Sequence, residues 1–147
     1  MGAVDNGANW SVVIEAEGGG LGERGALMLR TKYLIIGGGL AADGAVEGIR
    51  QLDPTGRIVV VAAEPDPPYT RPWLSKGLWI GKPYERVFRE TESKGAELHL
   101  GRRAVRIDLD RKVVVNDVGE EYEYGSLLLA TGGRVRRMAF GGDEVIY

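Results

Sequence analysis

Two short apolar runs with an amphipathic segment between them set the plan of this chain. Tyr33-Leu34-Ile35-Ile36 leads into Gly37-Gly38-Gly39, and Arg57 to Ala63 (RIVVVAA) leads into Glu64. Each run is short enough for a buried strand, and the second is rich in β-branched residues. Between them, Leu40 to Leu52 carries Ala41, Ala45, Val46, Ile49 and Leu52 at helical spacing, with Asp43, Glu47, Arg50 and Gln51 left for water. Gly44 and Gly48 each cost roughly 1 kcal/mol relative to alanine in a helix. A face of small residues that lets the helix approach a sheet closely would offset that cost. Asp53-Pro54-Thr55-Gly56 then stops the helix.

The second half reads differently. Pro65 to Lys76 (PDPPYTRPWLSK) is a proline-shaped loop, with a short helix expected from Leu74. Gly77 to Thr91 is a polar connection, partly helical at best. Glu97 to Leu100, Ala104 to Leu109 and Lys112 to Val115 are short β runs, with tight turns at Asp110-Arg111 and Asn116 to Glu120. Tyr122 and Tyr124 alternate with acids before Leu127-Leu128-Leu129-Ala130, which reads as a buried strand.

Strand, glycine turn, helix, strand and acid occur in the order that a dinucleotide fold needs. Gly37 permits a sharp turn, and Gly39 lets backbone N–H groups approach a phosphate with no Cβ in the way. Gly38, Leu40 and Ala41 complete the bend and open the helix whose N-terminus would receive a pyrophosphate. Ala42 takes the close-packing position of the G-x-G-x-x-G/A pattern. Glu64, at the tip of the second strand, is placed to accept hydrogen bonds from ribose hydroxyls.

Composition narrows the classes. With 147 residues there is room for one domain with a sizeable core. A net charge of −2 gives no basic footprint for a nucleic-acid binder. The absence of cysteine removes a redox dithiol, a thiolate nucleophile and a cysteine-based zinc site. His99, the single histidine, reads as structural or exposed on its strand, and Asp108 with Asp110 offers too few ligands for a metal. No apolar run reaches the roughly 18 residues of a membrane span, and no signal peptide is evident. A cytoplasmic protein is the default expectation. Residues 1–30, with Gly18-Gly19-Gly20-Leu21-Gly22, are expected to form a disordered leader or an over-extended gene start, with Met28 as the natural start; residues 31–147 form the domain.

The string PPYTRPWLSK, behind GGGLAA and an acid-tipped strand, resembles the FAD-binding part of the pyridine nucleotide-disulphide oxidoreductases. Within them it is most similar to the branch of apoptosis-inducing factor and the NADH-dependent ferredoxin and rubredoxin reductases. Leu127 to Gly133 (LLLATGG) is the second mark of that resemblance. It implies an α/β, Rossmann-like FAD/NAD(P)-binding domain: a parallel sheet closed by the strand at Glu97, helices, and a small antiparallel β-meander. It implies Arg71 near the FAD phosphates and Lys76, the catalytic candidate, beside the flavin ring. It also implies the Val105 backbone at the adenine, and Thr131 and Gly132 in the turn that returns to the cofactor. Trp73 stands where the family often has proline, and simple packing is favoured over contact with the isoalloxazine. Arg134, Arg136 and Arg137 read as a solvated basic cluster.

The resemblance extends from about Lys32 to Tyr147 and covers only the first part of such an enzyme. No second glycine motif follows a strand, so the NAD(P)-binding domain would lie in a missing portion or a separate subunit. The implied activity is electron transfer from NAD(P)H through FAD to a ferredoxin, rubredoxin or quinone, carried by a truncated or split chain. The alternatives are a non-catalytic FAD- or ADP-binding module, an inactive fragment, and a plain NAD-binding domain. An exposed apolar face is expected where the missing part would dock.

Overall fold

The computed structural model describes residues 28–133; residues 1–27 of the expected leader and the basic cluster at Arg134, Arg136 and Arg137 lie outside them. The expected parallel runs pair side by side. Strand β1 (Met28–Ile36) is central, with β2 (Ile58–Val61) parallel on one side and β6 (Glu121–Leu129) parallel on the other. Strand β3 (Ala96–His99) adds in parallel beyond β2, while β4 (Ala104–Asp108) and β5 (Val113–Asn116) form an antiparallel hairpin against β6. The order is β3-β2-β1-β6-β5-β4. The α/β Rossmann-like sheet with its β-meander is therefore present.

The apolar runs of β1 and β2 are unbroken because both faces of the sheet are covered. Ile35, Ile58 and Val60 face helix α1 (Leu40–Leu52) and pack with Ala42 and Val46. Leu34, Ile36, Val59 and Val61 face the other way, onto Val114, Tyr122 and Tyr124 from the meander. Tyr122 is fully buried, so its hydroxyl needs partners. It donates to Glu120 (2.9 Å), receives a bond from Asn116 Nδ2 (3.3 Å) and lies 2.8 Å from His99 Nδ1. Burial, and then the Glu120 carboxylate, pushes the phenol well above its ordinary pKa. His99 thus props a buried tyrosine.

Several expectations are corrected. Met28, Leu29 and Arg30, assigned to the leader, pair with Glu121, Tyr122 and Glu123, so the strand starts earlier than its apolar run. Gly44 and Gly48 are exposed and a Cβ on either would meet nothing within 4 Å; they do not serve close approach to the sheet. Leu52, at the end of α1, is 90% exposed. Asp43 is buried rather than wet, because three hydrogen-bond donors reach it. The short helix α2 (Arg71–Ser75) opens at Arg71, three residues before Leu74, with Pro72 in its first turn. Leu127 to Leu129 form a strand, yet Leu128 and Leu129 are 41% and 49% exposed. The reason is that β5 registers only against Glu121–Glu123, and among the described residues the last part of β6 has β1 alone for a neighbour.

The turn after α1 is held by Asp53. Its carboxylate accepts from Lys32 Nζ (2.6 Å), Tyr33 Oη (3.0 Å) and the Gly56 N–H (2.8 Å). Lys32 first, then the Gly56 amide, holds this carboxyl well below the usual carboxylate range. Glu97 is lowered by Arg57, and Glu120 by Asn116. Groups whose folded pKa is depressed contribute stability above their unfolded pKa of about 4, and that stability is lost as pH falls through the folded value. The melting temperature of the cofactor-free chain should therefore stay level from about pH 7 to about pH 5 and drop steeply below about pH 4. Asp53→Asn should flatten the acid limb; a melting temperature that rises on acidification would contradict the assignment.

Candidate functional site

Strand β1 ends in a bend that only glycine can make. Gly37 has φ +123°, and a Cβ there would collide with the Ala130 carbonyl. The bend is stitched on both sides: the Gly37 N–H donates to the Val61 carbonyl (2.8 Å), and the Ala130 N–H donates to the Ile36 carbonyl (2.8 Å). Gly38 packs so closely on Ala62 that a Cβ would sit 2.7 Å from the alanine methyl. Gly39 differs from both. It is the N-cap of α1, and a Cβ added to it would point into open space.

That space is a cavity of about 420 Å³ at the parallel ends of β1, β2 and β6. Gly39, Leu40 and Ala41 form its floor, where the first N–H groups of α1 have no partner within the helix. Thr131, Gly132 and Gly133, with Leu129 and Ala130, supply the wall after β6. Glu64, Tyr69 and Arg71 supply the wall after β2. The partial positive charge of the helix start, a hydroxyl, a carboxylate and a guanidinium thus converge on one opening.

Glu64 is the hub of the polar wall. Arg71 Nη2 donates to its Oε1 (2.9 Å) and the Tyr69 hydroxyl donates to its Oε2 (3.1 Å). Burial, followed by the Glu64 carboxylate, raises the Tyr69 phenol above its ordinary pKa, which keeps it a donor. The Gly101 N–H holds the Glu64 carbonyl (3.0 Å), fixing the backbone beneath the carboxylate. Glu64 is half exposed, so its unpaired oxygen lone pairs face the opening.

The sequence candidates divide into three groups. Gly39, Leu40, Ala41, Glu64, Arg71, Thr131 and Gly132 line the cavity together. Gly37, Gly38 and Ala42 lie behind it; Ala42 is fully buried under the helix. Lys76 and Val105 do not line it. Lys76 is the exposed C-cap of α2, and Val105 is 51% exposed on β4. Trp73 lies over Gly77, where a Cβ would meet its ring at 2.9 Å, so its contact here is packing inside the loop. Sequence reasoning missed Tyr69. Its signal was available: an aromatic hydroxyl five residues beyond Glu64, within the same proline-braced loop.

The chain matches the family model described as pyridine nucleotide-disulphide oxidoreductase over residues 31–146. It is 37% identical over 124 residues to monodehydroascorbate reductase 2 of Arabidopsis thaliana, covering 74% of this chain and 28% of that protein. It is 36% identical over 117 residues to rubredoxin-NAD(+) reductase of Pseudomonas putida, covering 76% and 30%. Among solved structures, the covalent putidaredoxin reductase–putidaredoxin complex superposes with a TM-score of 0.67 at 31% identity, over 74% of this chain and 27% of that one. The chain therefore spans under a third of the length of these relatives. With the glycine bend, the acid after β2 and the threonine turn after β6 converging on one cavity, it belongs to the pyridine nucleotide-disulphide oxidoreductase family.

Proposed function

We propose that this chain is the FAD-binding part of an NAD(P)H-dependent flavoprotein oxidoreductase. The observation that carries the reading is Gly39: an N-cap without a side chain, opening α1 onto a cavity whose far wall holds Glu64 and Arg71. Such a floor suits a pyrophosphate, since oriented amides and the helix dipole both favour negative charge. Glu64 suits the adenosine ribose as a hydroxyl acceptor, with Arg71 within reach of the phosphates and Thr131 offering a hydroxyl from the opposite wall. Gly132, with φ +70°, keeps that wall free of a side chain.

FAD, when bound, supplies hydride acceptance from nicotinamide and onward release of single electrons. The residues of this chain bind and orient it. Lys76 belongs to the flavin end on this reading: it caps the C-terminus of α2, the helix that Arg71 opens. Its charge there would stabilise negative charge developing on the ring. Val105 would lend its backbone to the adenine, beyond the present edge of the cavity. The nicotinamide site, the rest of the flavin wall and the surface for a ferredoxin, rubredoxin or quinone would come from chain beyond these residues or from another subunit. No helix among the described residues is long and apolar enough to cross a membrane, and a cytoplasmic location accords with the reading.

The cavity by itself supports one other reading, an FAD- or ADP-binding module with no turnover of its own. Anaerobic addition of NADH to the flavin-loaded protein, with the chain beyond these residues or the second subunit present, separates the two. Bleaching of the flavin band supports the enzyme, and an unchanged band supports the module.

Titration with FAD, followed by quenching of flavin fluorescence, should saturate at one site; recovery of NAD without FAD from the purified protein would overturn the proposal. Gly39→Val should leave the cofactor-free chain folded, since a Cβ there meets nothing within 4 Å, while abolishing FAD binding. Wild-type cofactor retention in that variant would contradict the pyrophosphate assignment. Glu64→Ala should weaken FAD by roughly 1–3 kcal/mol through lost ribose hydrogen bonds. An unchanged affinity, measured by calorimetry, would remove Glu64 from the site.

A further inference from the structure

The loop that carries Tyr69 and Arg71 belongs to neither apolar cluster of the domain. It is instead one side of a small ribbon. Tyr69 and Phe88 form an antiparallel bridge, the Thr70 N–H donates to the Val87 carbonyl (2.8 Å), and the Arg89 N–H donates to the Pro68 carbonyl (2.7 Å). The other side of the ribbon is moored to α1 by a single carboxylate. Asp43, 1% exposed, accepts from Arg89 Nε (2.8 Å), Thr91 Oγ1 (2.7 Å) and Lys94 Nζ (2.8 Å). A buried carboxylate is costly unless paired, and this one is paired wholly with residues of the segment that backs the site loop.

We propose that Asp43 is a positioning residue for the nucleotide site. It sets the distance between the α1 N-terminus and the Tyr69–Arg71 loop through Arg89, and so fixes the donors that orient Glu64. The path is continuous: Asp43 to the Arg89 side chain, Arg89 backbone to Pro68, Tyr69 and Arg71 to Glu64. The proposal rests on the reading of this cavity as the FAD site. It also makes a prediction of sign. Asp43 lies in the first turn of the helix that would face the pyrophosphate, so charge alone says that removing it should tighten binding. Positioning says that removal should loosen it.

The test is a double-mutant cycle on the full chain with Asp43→Asn and Arg89→Gln, reading FAD affinity by fluorescence and cofactor-free melting temperature separately. Each single variant should weaken FAD about tenfold, and the double variant should lose little more than either alone. Arg89→Lys should recover part of the loss. Asp43→Asn binding FAD as well as or better than wild type would overturn the proposal, as would losses that multiply in the double variant. Should Asp43→Asn fail to fold, Arg89→Gln decides: its side chain is 40% exposed, and unchanged FAD affinity in it sinks the inference. Failure of the wild-type chain to bind FAD is a separate result that removes the underlying reading and this one with it.

Discussion

The structure depends on how tightly the backbone of β1 turns at Gly37. Two neighbouring strands close on this point, with the Val61 carbonyl on one flank and Ala130 on the other. A side chain would have to occupy the space of the Ala130 carbonyl, in a conformation that L-residues rarely adopt. Because β1 can stop so abruptly, α1 starts almost at the sheet's edge. Its free N–H groups and the turns after β2 and β6 then open onto a shared space. In open α/β sheets ligands bind at the carboxyl ends of the strands, and the cavity lies there.

Two kinds of glue hold the rest. The faces of the central strands are covered by apolar packing, from α1 on one side and from the meander on the other. The loops are held by polar hubs: Asp53 at the turn after α1, Tyr122 beneath the meander, Asp43 behind the site and Glu64 within it. No buried side-chain nitrogen or oxygen among the described residues lacks a partner. The loops that shape the site therefore depend on charge-assisted hydrogen bonds as well as on the burial of Val87, and variants that remove one partner leave the other stranded.

The strands, α1 and the cavity floor were legible in the sequence because each rests on local pattern. Apolar runs mark β1 and β2, three glycines mark the bend, and Glu64 follows its strand directly. What could not be read depends on contacts distant in sequence. Asp43 looks like a solvated helix residue until Arg89, Thr91 and Lys94, some fifty positions on, are brought to it. Gly44 and Gly48 fit a close-packed face by spacing, yet spacing cannot say which side of a helix meets the sheet. Leu128 and Leu129 have the composition of a covered strand, but burial requires a neighbour, and β5 pairs only with the first part of β6. Lys76 and Val105 were assigned by resemblance to longer chains, and both stand outside the cavity formed by the described residues.

The central claim is that a helix start capped by Gly39, which has no side chain, grips the diphosphate of FAD. A crystal structure of the chain grown with FAD tests it most directly. The account predicts diphosphate density against the amides of Gly39, Leu40 and Ala41, with a ribose hydroxyl in hydrogen-bond contact with Glu64. Density for FAD elsewhere on the chain, with that helix start bare, would contradict it.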